Sequence, residues 1–512
     1  MTYWMRCKAT ALAGITLAGT TLALPASADV TPQEVWSDFS AYVQSFGYEV
    51  TGTESMSGDT LTISGVAMSV ALPEDEGTVA INMAEVILRQ IDDGAVAIDF
   101  PATMPITVNM APEFGEKVDI IMDLTHDGLQ MQVSGTPEAL DYSYSAARMS
   151  IGLSDMVVDG ETIGRDVAAF SFDMNGLSGA SQVAIGELRD ISQQLVVASI
   201  TYDLLFNDPD SDDRALINGM LDNLSFDGDT RLPLEMNTAD MGQMLAQGLS
   251  LAGSFGYENS NAEFFVIDEG ATTRGQSGSD TASLEFRMDG TSLTYSGSGT
   301  GTAIALSGGD IPVPIEIGMA ETAFNLTMPV SASDETADVA FGLTLGEFTM
   351  SDLLWSLADP GKVLPRDPAT VAFDLTGKVK LLVDFFDPEA MARVETGDVV
   401  PAELNALTLR SLLVQAAGAK LTGTGDVTFD NSDMQTFDGF PRPTGSVNLQ
   451  LVGANGLIDG LIQMGLLAEE DAMGARMMMS MFTVPAGAED TLNSTLEVNE
   501  AGHVLANGQR IR

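Results

Sequence analysis

Few side chains here could do covalent chemistry, and they can be taken one at a time. The 512 residues hold two histidines, His126 in "THDG" and His503 in "AGHVLANG". Both fall in expected turns or at a strand start, where an exposed polar residue is unremarkable. Neither has a G-x-S-x-G elbow or an H-E-x-x-H beside it, so neither is assigned a catalytic or metal role. "GSGTG" at 297–301 has no following helix or lysine to hold a phosphate and reads as a loop. A Ser-His-Asp triad converges only in space; with two candidate bases, both in loops, the reading goes against one. Among the many carboxylates, Asp208, Asp210 and Asp212 in "NDPDSDDRALING" alternate as hard ligands do in calcium loops. Asp213 then stands where such a loop turns on glycine, and Gly219 where its bidentate glutamate should be. The plainer reading is an acidic helix N-terminus capped by Asp210 or Ser211. No catalytic residue, no cofactor and no complete metal site is expected.

The other conspicuous chemistry is thioether sulfur. "EEDAMGARMMMSMFTVPAG", residues 469–487, carries five methionines within nine positions. With 470–482 as a helix, Met473, Gly474, Met477, Met478, Met481 and Phe482 cover one half of the circumference. Arg476 and Ser480 lie on the other half, and Met479 falls near that polar side. Core filling against a sheet is the leading reading, because methionine packs irregular gaps. A copper site would need further soft or imidazole ligands, and none lies nearby. The third reading is an adaptable apolar surface for lipid or a partner. The preceding "NGLIDGLIQMGLL" supports it, with Leu457, Ile458, Leu461 and Ile462 set against a stripe of Asn455, Asp459 and Gln463. Two such helices against a sheet could close one end of an apolar groove. Leu457, Leu461, Met473, Met477, Met478, Met481 and Phe482 are therefore the candidate hydrophobic-ligand surface.

The elements that would position these residues are mostly strands. Asp-Gly or Asn-Gly pairs begin at Asp93, Asp127, Asp159, Asn175, Asn218, Asp227, Asp289, Asp438, Asp459 and Asn507. Those at Asn218 and Asp459 sit in helix-like stretches; most others separate alternating runs and predict hairpins. In "TLNSTLEVN" the apolar and polar residues alternate, and "HVLANGQRIR" folds about Asn507-Gly508, setting Val504 opposite Ile511. Helices are few. "TPQEVWSDFSAYVQSFG" offers Thr31 as N-cap, Pro32 at the first position, Glu34 to complete a capping box and Gly47 beyond the end. Shorter helices are expected around 210–223, 238–252, 351–358, 387–395, 401–415, 455–467 and 470–482. The spacing thus predicts a mainly β (α+β) chain, elongated or two-lobed antiparallel sheets with a few peripheral amphipathic helices. "SFGYE" occurs at 45–49 and again at 254–258, which favours a duplicated helix-then-sheet unit with a boundary near 236. The expected organisation is residues 1–28, 29–236 and 237–512. "GATTRGQSGSDT" reads as a long hairpin loop or a linker.

Arg6 and Lys8, an apolar run and "PASA" form a secretory signal pattern, with cleavage expected after Ala28. Cys7, the one cysteine, precedes the expected cut, so disulfides and thiol catalysis are not expected. The chain carries 73 acidic and 22 basic residues, a net charge of −51. That field repels polyanions, so nucleic acid is an implausible partner. No later stretch is long and apolar enough for a transmembrane helix, and 45% hydrophobic residues suffice for a substantial core.

"VWSDFSAYVQSFGYEV", "LWSLADPGKVLPRDPATVAFDLTGK" and "STLEVNEAGHVLANGQRIR" together resemble the domain-of-unknown-function 2125 family of exported Gram-negative, alphaproteobacterial proteins. The resemblance implies a location in the envelope and carries no established activity or catalytic residues. "PRPTGSVNLQLVGANGLIDGLIQMGLL" followed by the terminal "NGQ" hairpin is similar to the ends of YdgA-like and AsmA-like envelope proteins, which implies an elongated β-sheet groove associated with lipid handling. The leading expectation is a periplasmic, non-enzymatic protein that binds or transfers lipid or another hydrophobic ligand. Its partners would be lipid or envelope proteins. A structural scaffold of the envelope is the alternative, and a hydrolase the third.

Overall fold

The computed structural model describes residues 30–71, 77–91, 94–110, 116–237 and 240–512. The expected signal peptide, Asp93 of one turn and residues 238–239 of one helix lie outside them. Helix α1 (Pro32–Ser45) comes first, with the expected capping box between Thr31 and Glu34 and with Gly47 at φ +87° just past its end. Twelve strands follow: β1 (Glu49–Ser57), β2 (Thr60–Ala71), β3 (Gly77–Gln90), β4 (Val96–Asp99), β5 (Thr103–Met110), β6 (Val118–Asp127), β7 (Gln130–Thr136), β8 (Ala139–Val158), the two-residue β9 (Glu161–Thr162), β10 (Ala168–Ile185), β11 (Leu188–Asn207) and β12 (Arg214–Pro233). Helix α2 (Met241–Ala246) leads to β13 (Ser250–Asp268), β14 (Ala271–Met288), β15 (Ser292–Gly308), β16 (Ile315–Pro329) and β17 (Ala337–Met350). Helix α3 (Asp352–Ala358) and helix α4 (Pro388–Glu395) flank β18 (Ala369–Leu381), and β19 (Ala402–Ala416), β20 (Ala419–Asp430) and β21 (Arg442–Val452) come next. Helices α5 (Ala454–Gln463) and α6 (Glu469–Phe482) precede the closing strands β22 (Val484–Pro485), β23 (Thr491–Val498), β24 (Val504–Ala506) and β25 (Gln509–Arg510).

These strands make one antiparallel sheet of unusual simplicity. From β8 onward each long strand pairs with the next long strand in the sequence. Near the start, β4 and β5 lie end to end along β3, and β6 and β7 lie end to end along β8. Each of these two pairs is one long strand broken by a kink. The pairing of β12 with β13 carries the sheet straight across the region of residue 236.

A second regularity crosses the strands. Gly65, Gly128, Gly176, Asn223, Asn259, Gly301 and Glu347 all have left-handed backbones, and the strand registers bring them to one level of the sheet. The pairings skip that level, as between Asn175 and Leu177 opposite Ser199 and Val197, or Thr300 and Thr302 opposite Glu321 and Met319. Core-facing residues on either side of it stand three apart rather than two, as Met174 and Leu177, Val197 and Ile200, Leu221 and Leu224 do in one cluster. An inserted residue bends a strand. Inserted at the same level in strand after strand, it leaves register intact and creates a transverse seam.

The main core gathers at the N-terminal end, where α1 and α2 cover the sheet. Leu61, Ile63, Val66, Val86, Leu88, Val96 and Val133 are nearly or fully buried there with Val35, Met244 and Leu245.

Several expected elements differ, and the seam explains part of the difference. Neither Asp127-Gly128 nor Asn175-Gly176 is a hairpin: the first is the kink between β6 and β7, and the second is a seam position inside β10. Asp227-Gly228 lies within β12, where the ring of Phe226 covers Gly228. The turns at Asp159, Asp289, Asp438 and Asn507 do form, and Ile511 donates its N–H to the Val504 carbonyl at 2.8 Å. Residues 210–223 and 401–415 are not helices: 210–213 lie in the β11–β12 turn, 214–223 in β12 and 402–415 in β19. Bulges in β19 space Leu404, Leu407, Leu409, Leu412 and Val414 by three and two, which imitates a helical period. "GATTRGQSGSDT" is neither loop nor linker but most of β14's first half, and "GSGTG" lies in β15 rather than in a loop. One glycine in each lies under a neighbouring ring: a Cβ on Gly275 would stand 2.0 Å from the Phe264 ring, and one on Gly297 2.6 Å from the Phe324 ring. The two "SFGYE" copies also diverge, the first ending α1 and the second lying inside β13.

Candidate hydrophobic-ligand site

Because side chains alternate along a strand, directly paired residues share a face of the sheet. One row of direct partners runs Tyr144, Gly179, Leu195, Phe226, Phe255, Leu284 and Gly297 from β8 to β15. It continues through Phe324, Leu343, Phe373, Leu412, Gly423 and Leu449 to Ser494 in β23. Fourteen strands contribute, and the row contains no charged residue. One position along each strand, the opposite face reads Ser143, Ala180, Gln194, Asp227, Ser254, Glu285, Ser296 and Asn325. Across these strands, from β8 to β16, the sheet is therefore apolar on one side and mainly polar on the other.

Several glycines on this face stand beside aromatic residues for a steric reason. A Cβ on Gly297 would stand 2.6 Å from the Phe324 ring, and one on Gly253 the same distance from the Phe286 ring. The rings lie over backbone that has no side chain, which smooths the face. Midway along the sheet Phe286, Tyr295, Phe341, Leu345, Val371 and Val414 keep 37–51% of their surface exposed. A concavity of about 390 Å³ follows the seam on this side, walled by Tyr257, Ser279, Ala282, Thr302, Thr322 and Leu345 from both of its flanks.

At its N-terminal end the same face enters a pocket of about 350 Å³ under α1. Tyr142, Tyr144, Ser181, Val183, Ile191 and Gln193 form the sheet wall, and Trp36, Phe39 and Tyr42 form the helix wall. Two charges face each other there. Arg189 donates to Asp38 of α1, and its guanidinium lies 4.6 Å from the centre of the Tyr42 ring. Little more than a tenth of either charged side chain meets solvent. Burial pushes the Tyr142 hydroxyl up to about 12; the Asp38 carboxylate adds to the rise and Arg189 opposes it. The Tyr142 phenol is thus a neutral polar group at physiological pH.

At the other end stand α5 and α6. The Ser494 hydroxyl, which closes the apolar row, donates to the Phe482 carbonyl at 2.6 Å, and Asn507 donates to the same oxygen at 2.9 Å. Asp490 accepts from the N–H groups of Asn455 and Gly456, capping α5 where Gly453 has no side chain to do so. Arg476 reaches from α6 to Asn455 and Asp459.

The expected site residues are distributed differently from the expectation. The polar stripe of α5 and Arg476 of α6 meet at the helix–helix contact, so the methionine face turns outward. Met473, Met477, Met478 and Met481 are 57–71% exposed, which overturns core filling as their role. Met479, expected near the polar side, is half-buried with Arg476. Leu457, Leu461 and Phe482 are half-buried. None of the seven candidates lines the pocket under α1.

Asp208, Asp210 and Asp212 occupy the β11–β12 turn rather than a helix N-terminus. Asp208 accepts from the Asp210 N–H and the Ser211 hydroxyl, so its carboxylate braces its own turn. Among the described residues no three His, Cys, Asp or Glu side chains gather as an ion would require. His126 is built into the kink beside the seam, where Nδ1 accepts from Leu129 N–H and Nε2 donates to the Pro101 carbonyl. His503 lies in the β23–β24 connection, where its N–H donates to Asn499.

The Asp38–Arg189 pair and the transverse row were missed in the sequence. Arg189 was the available signal, a lone cation between Ile185 and Ile191. Among the described residues no helix is long and apolar enough to cross a membrane. No family model, no curated protein and no solved structure matches the chain.

Proposed function

We propose that this protein binds lipid or another elongated hydrophobic ligand along the apolar face of its sheet, without catalysing its conversion, in the cell envelope. The observation that carries the reading is the uncharged row from Tyr144 to Ser494. Strands spaced about 4.8 Å apart make it roughly 60 Å long, far beyond the scattered apolar residues of an ordinary surface. Acyl chains suit it because they demand contact and little directional bonding. The pocket under α1 would take one end of such a chain, and the open middle would hold the remainder or pass it along. A signal pattern at the N-terminus supports an exported protein.

The test is native mass spectrometry of protein purified without detergent, with lipid extracted from the same sample, followed by uptake of a fluorescent fatty acid. The expected result is copurified phospholipid or fatty acid, and at least a tenfold loss of uptake in Leu343→Asp/Phe373→Asp with the β spectrum retained. A ligand-free protein that takes up no probe overturns the reading. A stable dimer that buries these residues would favour the second reading, an envelope scaffold whose apolar face pairs with protein.

A further inference from the structure

The outward methionine face of α6 has no part in the apolar row, and its composition is peculiar. Where α5 buries an apolar side chain it uses Ile458; where α6 exposes four, all are methionine. Leucine would serve a merely greasy surface equally well. What methionine adds is soft sulfur on three rotatable bonds.

The spacing brings these sulfurs together. Residues three and four apart on a helix have Cβ atoms about 5–6 Å from each other. Met477 and Met481 are four apart, Met478 and Met481 three apart, and Met473 stands one turn before Met477. Three flexible, solvent-facing thioethers therefore surround one point on the helix surface. Thioethers select monovalent copper over hard cations. A net charge of −51 concentrates cations of every kind near the surface. The sulfurs would choose among them.

The same helix is poorly made for a bilayer. Its first turn carries Glu469, Glu470 and Asp471, and its one cation, Arg476, is turned inward to Asp459 at 2.6 Å. Helices that lie on membranes carry lysine and arginine on the polar side. We infer that Met477, Met478 and Met481, with Met473 as a further donor, form a surface site for Cu⁺ built from thioethers alone, without histidine or cysteine in support, and separate from the proposed lipid-binding face.

The test is an anaerobic titration of the purified protein with Cu⁺ against bathocuproine disulfonate, repeated with Ag⁺ by native mass spectrometry. One ion per chain is expected. Met477→Leu/Met478→Leu/Met481→Leu, which conserves volume, should bind at least tenfold more weakly, whereas Met434→Leu at another exposed methionine should bind as the parent does. Equal binding by the parent and the triple variant, or none by either, overturns the site. Should the triple variant lose its circular-dichroism signal, X-ray absorption of the Cu⁺-loaded parent decides. Sulfur-only scattering supports the site, and a nitrogen or oxygen shell overturns it.

Discussion

Tyr142 and its neighbours show how a few polar groups can be tolerated in an apolar pocket. Asp38 and Arg189 are paired across it, which offsets part of the cost of burying either charge. Tyr142 keeps its proton instead, its hydroxyl held up at about 12 against 10 in an unfolded chain. Below pH 10 both states are protonated and the folded state keeps its full stability. Between pH 10 and about 12 the unfolded chain ionises at this residue while the folded one does not. Stability should therefore fall across that window by about 1.4 kcal/mol per pH unit from this group alone. Chemical unfolding at successive pH values checks this: the fall should be shallower in Tyr142→Phe by that amount. Of this arrangement the sequence showed only the parts. The helical spacing of Trp36, Phe39, Val43 and Phe46 is readable in the sequence, and the first three pack into the core while Phe46 is exposed, but the ion pair joins residues 151 apart in the chain. No local pattern carries that pairing.

Single elements were legible where local chemistry decides them. The capping box of α1, the helices at 352–358 and 388–395 and the Asn507-Gly508 hairpin follow from caps, prolines and turn residues within a few positions. Elements decided by their neighbours were not. β14 has a loop-like composition and is held as a strand because β13 and β15 pair with it along most of its length. Its Gly275, like Gly253 in β13, gives room to a ring on an adjacent strand. Gly253→Val, a substitution that raises β propensity, should nonetheless destabilise the protein by about 1–3 kcal/mol, because the new side chain must displace the Phe286 ring. A urea titration beside the parent is sufficient to see it. An unchanged midpoint would mean that the ring has free space to move into.

At the scale of the whole molecule, burial is uneven. The enclosed core lies among α1, α2 and the first strands, while the sheet from β13 to β20 rests mainly on its pairing and one-sided packing. Hydrogen exchange should accordingly be slowest around Leu61, Ile63, Leu88 and Val133, and faster in β14 to β19. Bound fatty acid should slow exchange in β14 to β19 and around the pocket under α1, where Leu88 lies, and leave Leu61, Ile63 and Val133 unchanged; slowing confined to the pocket would restrict the ligand to that end. The mainly β class with peripheral helices was legible from alternation and turn residues. The single sheet was legible only as one of two alternatives, elongated or two-lobed, since pairing order leaves no mark in composition. The seam has a further consequence. From β2 to β17 the seam and its inserted residue recur in strand after strand, and each strand touches only the strands beside it. A hairpin bearing that residue is thus a complete unit of growth, which could be spliced in or cut out with the register of all the others preserved. Each such unit would lengthen or shorten the trough by roughly 10 Å. Reach is then set by the number of repeats, as in a carpenter's folding rule, and chains of very different length could share this architecture while differing only in the distance they span.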